Sequence, residues 1–200
     1  MGRKAIARAR KPLTQKAEVW VRQLVPLLQN RQLAHLTLDE LAELMGKSKS
    51  TIYSYFSTKE EIYLTAVQLI LDDLRSVLSD DLLEQQDMEY VLRLILTTIS
   101  QGISGISIRF LEQIQLHFPE AWSVIEGFTS SLLDKLELIY EKGMEARAFK
   151  RFNVSILIAL DRHFVMSIMT NADLFSKKGM DLQDLVNEYL ELRMSALKIG

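Results

Sequence analysis

The sequence predicts an all-α fold, and three observations carry that expectation. Apolar residues recur along it at spacings of three and four, the repeat of a helix with one buried face. Its 200 residues include only three prolines and eight glycines, too little turn material for many strands or long loops. Helix-start signals also stand ahead of most apolar stretches, as Ser, Thr, Asp or Asn, twice with Glu three residues later. With 48% hydrophobic residues, a chain of this length can bury a substantial core. It holds no cysteine, which excludes disulfides and thiol chemistry. No apolar run approaches a membrane span and no signal-peptide core follows the basic N-terminus, so the expectation is a soluble protein of the cytoplasm.

The elements follow in chain order. Residues 2–12 carry five basic groups and no acid and end in Pro12, which reads as a basic arm containing Arg8, Arg10 and Lys11. Thr14 is placed to cap a first helix with the stripe Val21, Leu24, Val25 and Leu28. Pro26 inside that helix predicts a bend or a late start. Thr37 and Glu40 form a capping box for a second helix, with Leu38, Leu41, Ala42 and Met45 on one face and Gly46 at the left-handed C-terminal position. Ser48 then caps a short third helix whose only large apolar residues, Ile52 and Phe56, share a face. A second capping box, Thr58 with Glu61, opens a longer helix through Ile62, Ala66, Leu69, Ile70 and Val77. Further on, Asp87, Pro119, Asn153 and Asp181 mark the starts of body helices.

Two short helices joined at Gly46 and Lys47 describe a helix-turn-helix, and its third-helix region has an unusual surface. Of the thirteen residues from Lys47 to Lys59, eight carry hydroxyls and three are lysines. Solubility alone would be met by Glu, Lys and Gln, which form helices better than Ser and Thr. Hydroxyls with ammonium groups suit phosphate oxygens and base edges instead. Charge divides at the same place: residues 1–60 carry net +6 and residues 61–200 net −8, so only the head would approach a polyanion. Lys49 is the best candidate to read a guanine through O6 and N7, whereas Asp39 should point away from phosphate.

The stretch TLDELAELMGKSKSTIYSYFSTKEE, Thr37 to Glu61, resembles the DNA-binding signature of TetR-type transcriptional repressors, above all in its TIYSYF core followed by Lys59 and Glu60. The resemblance covers about the first third of the chain. It implies that Thr37, Ser48, Thr51, Tyr55 and Lys59 bind phosphates, with Lys49, Ser50, Tyr53 and Ser54 facing bases. It also implies an arm and helix-turn-helix domain over residues 1–60 and a helical sensor and dimerisation domain over residues 61–200.

In the body, Val154 to Met169 is apolar almost all round, and Asp181 to Leu197 carries two apolar stripes, one through Leu182, Leu185, Val186 and Tyr189, the other through Leu190, Met194 and Leu197. More apolar surface than one protomer should expose predicts a four-helix interface with a second copy. Phe110, Trp122, Phe128 and Tyr140, with Arg93, Gln101, Gln113 and His117, are candidate lining for a ligand cavity, although ordinary core packing explains the aromatics equally well. His35, His117 and His163 lack partners at ligand spacing, so no metal is expected, and no cofactor motif is present. The expected partners are a double-stranded operator, a small apolar or aromatic effector and a second copy. The alternatives are a factor with the same head and a filled core, or an acid–base enzyme using Asp161 and His163, which no nucleophile or phosphate-loop motif supports.

Overall fold

The structure, a computed structural model, describes residues 11–170, 179 and 181–197, apart from the side chains of Met169 and Thr170. It is all-α. The head comprises α1 (Gln15–Leu28), a 3-10 turn (Leu33–His35), α2 (Leu38–Leu44) and α3 (Lys49–Tyr53). Helix α4 (Lys59–Val77) leads into a body of α5 (Met88–Gly102), α6 (Ile108–His117), α7 (Pro119–Glu145), α8 (Val154–Thr170) and α9 (Leu182–Leu197). A further 3-10 turn, Asp80–Glu84, joins α4 to α5.

Local chemistry sets the helix starts. The hydroxyl of Thr14 accepts the Ala17 N–H at 3.3 Å, and α1 runs from Gln15 through Pro26 to Leu28. Of the bend or late start expected of Pro26, the late start does not occur, since α1 begins directly after Thr14. The proline sits in the last turn on the exposed side, where the Arg22 carbonyl it leaves without an intrahelical donor can be met by water. Thr37 and Glu40 form the complete capping box, and Gly46 takes φ +64°, the left-handed turn that lets the chain double back into α3. At α4 the box is displaced by one residue: Thr58 accepts the Glu61 N–H, but the Glu61 carboxylate accepts from the Ser57 N–H at 2.7 Å. Asp87, Ser107, Asn153 and Asp181 cap α5, α6, α8 and α9, and Pro119 occupies the first turn of α7.

Helix α7, 27 residues and about 40 Å long, is the body's central strut, against which α4, α5, α6 and α8 pack. Helix α4 packs on α1 at one end and on α5 and α7 beyond, so one continuous core runs from Ala17 and Trp20 in the head through Tyr63 and Leu74 to Ile139 and Tyr140. Helix α9 lies on α5 and meets α8 through the side chains of Asp161, Tyr189 and Arg193. Every member of the two α9 stripes is buried or half-buried within the protomer, against the expectation that one would be left outside. The uncovered apolar face is on α8, where Ile156 and Leu160 are 60% and 55% exposed. Leu192 on α9 is 69% exposed. No described helix is long and apolar enough to cross a membrane.

Candidate nucleic-acid interface and body cavity

Helix α3 is pinned from beneath by Ile52 and Phe56, both buried, and this turns its polar residues outward. Ser48, Lys49, Ser50 and Tyr53 are exposed, while Thr51, Ser54 and Tyr55 are half-buried at its margins. The Ser48 hydroxyl caps the helix, accepting the Thr51 N–H at 3.2 Å, and lies 2.8 Å from the Thr51 hydroxyl and 3.1 Å from that of Ser50. Three hydroxyls thus converge at the first turn, where unpaired amides and the helix dipole favour an anion. The Ser54 hydroxyl donates to the Thr51 carbonyl at 2.7 Å.

Around this helix the remaining candidates take different places. Lys11 is exposed, and its N–H donates to the Ser54 carbonyl at 3.0 Å, so the chain enters the head alongside the recognition surface. Its ammonium lies 5.9 Å from the Tyr55 ring, which meets Trp20 edge-on at 5.8 Å. Arg8 and Arg10 lie outside the described residues. The Thr37 hydroxyl is engaged with Glu40, and the Thr37 N–H, donating to the Glu40 carboxylate at 2.7 Å, holds that carboxyl below the usual range. The Lys59 ammonium donates to the Ala34 carbonyl, so it braces the 3-10 turn. Lys49 pairs with Asp39, which raises its pKa above that of an ordinary lysine. Asp39 therefore faces the recognition surface, contrary to expectation: lysine on α3 supplies the countercharge that α2 otherwise lacks.

The body contains a cavity of about 180 Å³ walled by α4, α5, α6, α7, α8 and α9. Of the eight residues expected to line it, Phe110, Phe128 and Tyr140 do. The other five lie elsewhere. Arg93 pairs with Glu89 at 3.3 Å along the outer face of α5, and Gln101 and His117 are exposed. Trp122 is buried one turn ahead of Ile125, where α7 joins the cavity wall. Gln113 faces the head: its carbonyl accepts the Leu33 N–H at 2.5 Å and its amide donates to the Arg31 carbonyl at 2.6 Å.

Sequence reasoning missed the cavity's polar end. Asp161, 2% exposed, accepts from the Tyr140 hydroxyl at 2.9 Å through Oδ2, and from the Tyr189 hydroxyl and Arg193 through Oδ1. Burial pushes both tyrosine pKa values up, so both phenols remain donors. Phe164 stacks on Tyr189 at 3.8 Å and fixes the ring. An acid amid an apolar helix was the available signal, since a buried carboxylate requires partners, and Tyr189 and Arg193 stand four apart on one face of α9. Asp161 points inward, while its neighbours Arg162 and His163 are exposed.

A hydroxyl-rich third helix on a three-helix head, joined by one long helix to a helical body with a cavity, has the layout of a helix-turn-helix on a larger helical domain. Residues 26–66, from the end of α1 into α4, match the profile of the bacterial regulatory proteins of the tetR family. Over that segment the head resembles the TetR family, and the chain shares the fold of TetR-family regulators of known structure. The TetR family regulator PfmR of Thermus thermophilus superimposes with a TM-score of 0.66 at 20% identity, covering 90% of this chain and 99% of its own. The regulator FadR of Bacillus subtilis, in complex with stearoyl-CoA, gives 0.65 at 18% identity, over 89% of this chain and 97% of its own. The uncharacterised HTH-type transcriptional regulator YvaF of Bacillus subtilis (strain 168) is 22% identical over 94 residues. That match spans 46% of this chain and 49%, about half, of YvaF.

Proposed function

We propose that the protein is a sequence-specific transcriptional repressor of the cytoplasm that binds an inverted-repeat operator as a homodimer and leaves it when a small apolar or aromatic compound enters the body. The outward hydroxyl and lysine face of α3 carries this reading, since a helix anchored by two apolar residues and otherwise presenting Ser, Thr, Tyr and Lys fits a major groove. Ser48 and Thr51 hold phosphate at the first turn, Ser50 and Tyr53 face bases, and Lys11 follows the backbone with the rest of the arm. Two copies joined through the open face of α8 read two half-sites about one helical turn apart, or a multiple of it.

The body cavity favours a sensor over a factor with a filled core, because about 180 Å³ of space lined almost wholly by apolar side chains stands open among six helices. The structural relative FadR, in complex with stearoyl-CoA, is consistent with a body of this fold accepting a ligand. An enzyme built on Asp161 and His163 fits poorly: two residues apart on a helix, they do not face each other, and Asp161 is already held by three donors. The test is operator binding against salt, by fluorescence anisotropy on a selected inverted repeat. Roughly 6–10 phosphate contacts predict a loss of about 10³–10⁵ in affinity between 50 and 200 mM salt, and a flat response defeats the electrostatic reading.

A further inference from the structure

We infer that Lys47, in the turn ahead of α3, is a contact for the DNA backbone, and that the face of Trp20 holds its ammonium in place for a phosphate. The inference rests on the DNA-binding reading and adds to it a pair of residues outside the hydroxyl face of α3.

Four side chains form a row across the head. The Lys47 ammonium lies 4.9 Å from the centre of the Trp20 ring, Trp20 meets Tyr55 edge-on at 5.8 Å, and the Lys11 ammonium lies 5.9 Å from the centre of the Tyr55 ring. The two cations belong to opposite ends of α3. Lys47 directly precedes the Ser48 cap, and the Lys11 N–H reaches the Ser54 carbonyl at 3.0 Å. A helix lying in a major groove has a phosphate backbone along each wall, so cations carried beyond both of its ends are placed to meet phosphate.

Lys47 differs from other cations of the head in that its donors are unspent. Lys49 pairs with Asp39, Arg22 pairs with Asp73, and Lys59 donates to the Ala34 carbonyl. An aromatic face attracts an ammonium but takes up none of its N–H groups as an ordinary hydrogen bond. Lys47 has no carboxylate partner among the described residues, and residues 1–12 contain no acid that the arm could bring to it. A phosphate oxygen, which accepts a charge-assisted hydrogen bond, is the better partner. Trp20 is 7% exposed and belongs to the continuous core, so the mount is rigid. The half-buried Lys47 held against it has less freedom left to lose on binding.

Fluorescence anisotropy between 50 and 200 mM salt tests this, on a selected inverted repeat and on a scrambled duplex of the same length. Lys47→Met keeps an apolar stem for Trp20 and removes the charge. The loss of affinity across that salt range should then be about tenfold smaller than in the natural protein, the share of two backbone contacts, one from each copy, at a slope of about 0.9 each. Both duplexes should bind more weakly, the order of preference among single-base operator variants should not change, and Lys47→Arg should restore the natural slope. In a Trp20→Leu background Lys47→Met should cost less affinity than in the natural one, because the mount is gone. An unchanged slope in Lys47→Met, a loss confined to particular base variants, or an equal cost of Lys47→Met with and without Trp20 overturns the inference. Should Trp20→Leu not fold by circular dichroism, Lys47→Met and Lys47→Arg still decide the phosphate contact. Natural protein that binds neither duplex overturns the DNA-binding reading and this inference with it, whereas natural binding with an unchanged slope in Lys47→Met overturns this inference alone.

Discussion

Lys49 pairs with the Asp39 carboxylate within the head, so in the proposed complex a base edge would have to compete with Asp39 for it. The Lys49 side chain is 68% exposed and that of Asp39 40%, so water and salt weaken the pair and a stronger anion could displace it. Asp39→Asn should therefore raise operator affinity by releasing Lys49 and removing a negative charge near phosphate, as measured by anisotropy at 50 and 200 mM salt. Weaker binding instead would mean that Asp39 positions Lys49. Thr37 is a different case, because its hydroxyl and N–H are both engaged with Glu40. Thr37→Ala should cost about 0.5–2 kcal/mol in chemical denaturation, the usual effect of losing an N-cap. The pH dependence has a definite sign. Glu40 is held below its ordinary pKa in the folded head, so its contribution is present above the unfolded value near 4.3 and is lost as pH falls through the lowered folded value. Glu40→Gln should flatten that part of the acid limb, seen in denaturation series across acidic pH.

At the scale of elements, sequence predicts α9 with α8 at an interface between copies, but both apolar stripes of α9 are buried or half-buried within the protomer. Leu185 is 6% exposed and Val186 lines the cavity, so a glutamate at either should unfold the body. Leu160→Glu and Ile156→Glu place the charge on the open face of α8 and should yield folded monomers. Analytical ultracentrifugation checks this together with circular dichroism, and an intact dimer in both variants removes α8 from the interface. The element starts were legible because capping chemistry is local: Thr14, Thr37, Ser48, Thr58, Asp87, Asn153 and Asp181 each act within three residues of their own position. Ile52 and Phe56 likewise oriented α3 from sequence alone. That both stripes of α9 are covered depends on α5 and α8, and Asp161 finds Arg193 thirty-two residues away, so neither follows from spacing. Gln113 resembled pocket lining for the same reason: its partners, Arg31 and Leu33, are some eighty residues earlier.

Across the whole molecule, the cavity and the reading head share two elements. Helix α4 carries Leu74 in the cavity wall and Lys59 against the 3-10 turn of the head, and Arg22 of α1 pairs with Asp73 beside that wall. Helix α6 places Phe110 and Leu111 in the wall, while its Gln113 and Ser107 hold the segment after α1. Ser107 donates its hydroxyl to the Gln29 carbonyl at 2.8 Å and its N–H to the Gln29 side chain at 2.7 Å. A compound seated against Phe110 and Leu74 therefore bears on the same helices that set the angle of α3. It acts only through a difference in affinity between two arrangements, and shifting the population from 1:99 to 99:1 takes about 5.5 kcal/mol. A micromolar ligand binds with about 8.2 kcal/mol in all, so about two-thirds of that must be expressed in the difference, and the connection to the head must be stiff. Gln113→Ala tests that stiffness by stripping two hydrogen bonds from the junction and leaving the cavity wall intact. It should cost about 1–3 kcal/mol of stability through the unsatisfied Leu33 and Arg31 groups. An effector of the body should still bind with unchanged affinity by calorimetry, while its effect on operator affinity falls well below that in the natural protein. A full response in Gln113→Ala would mean that α4 carries the signal alone.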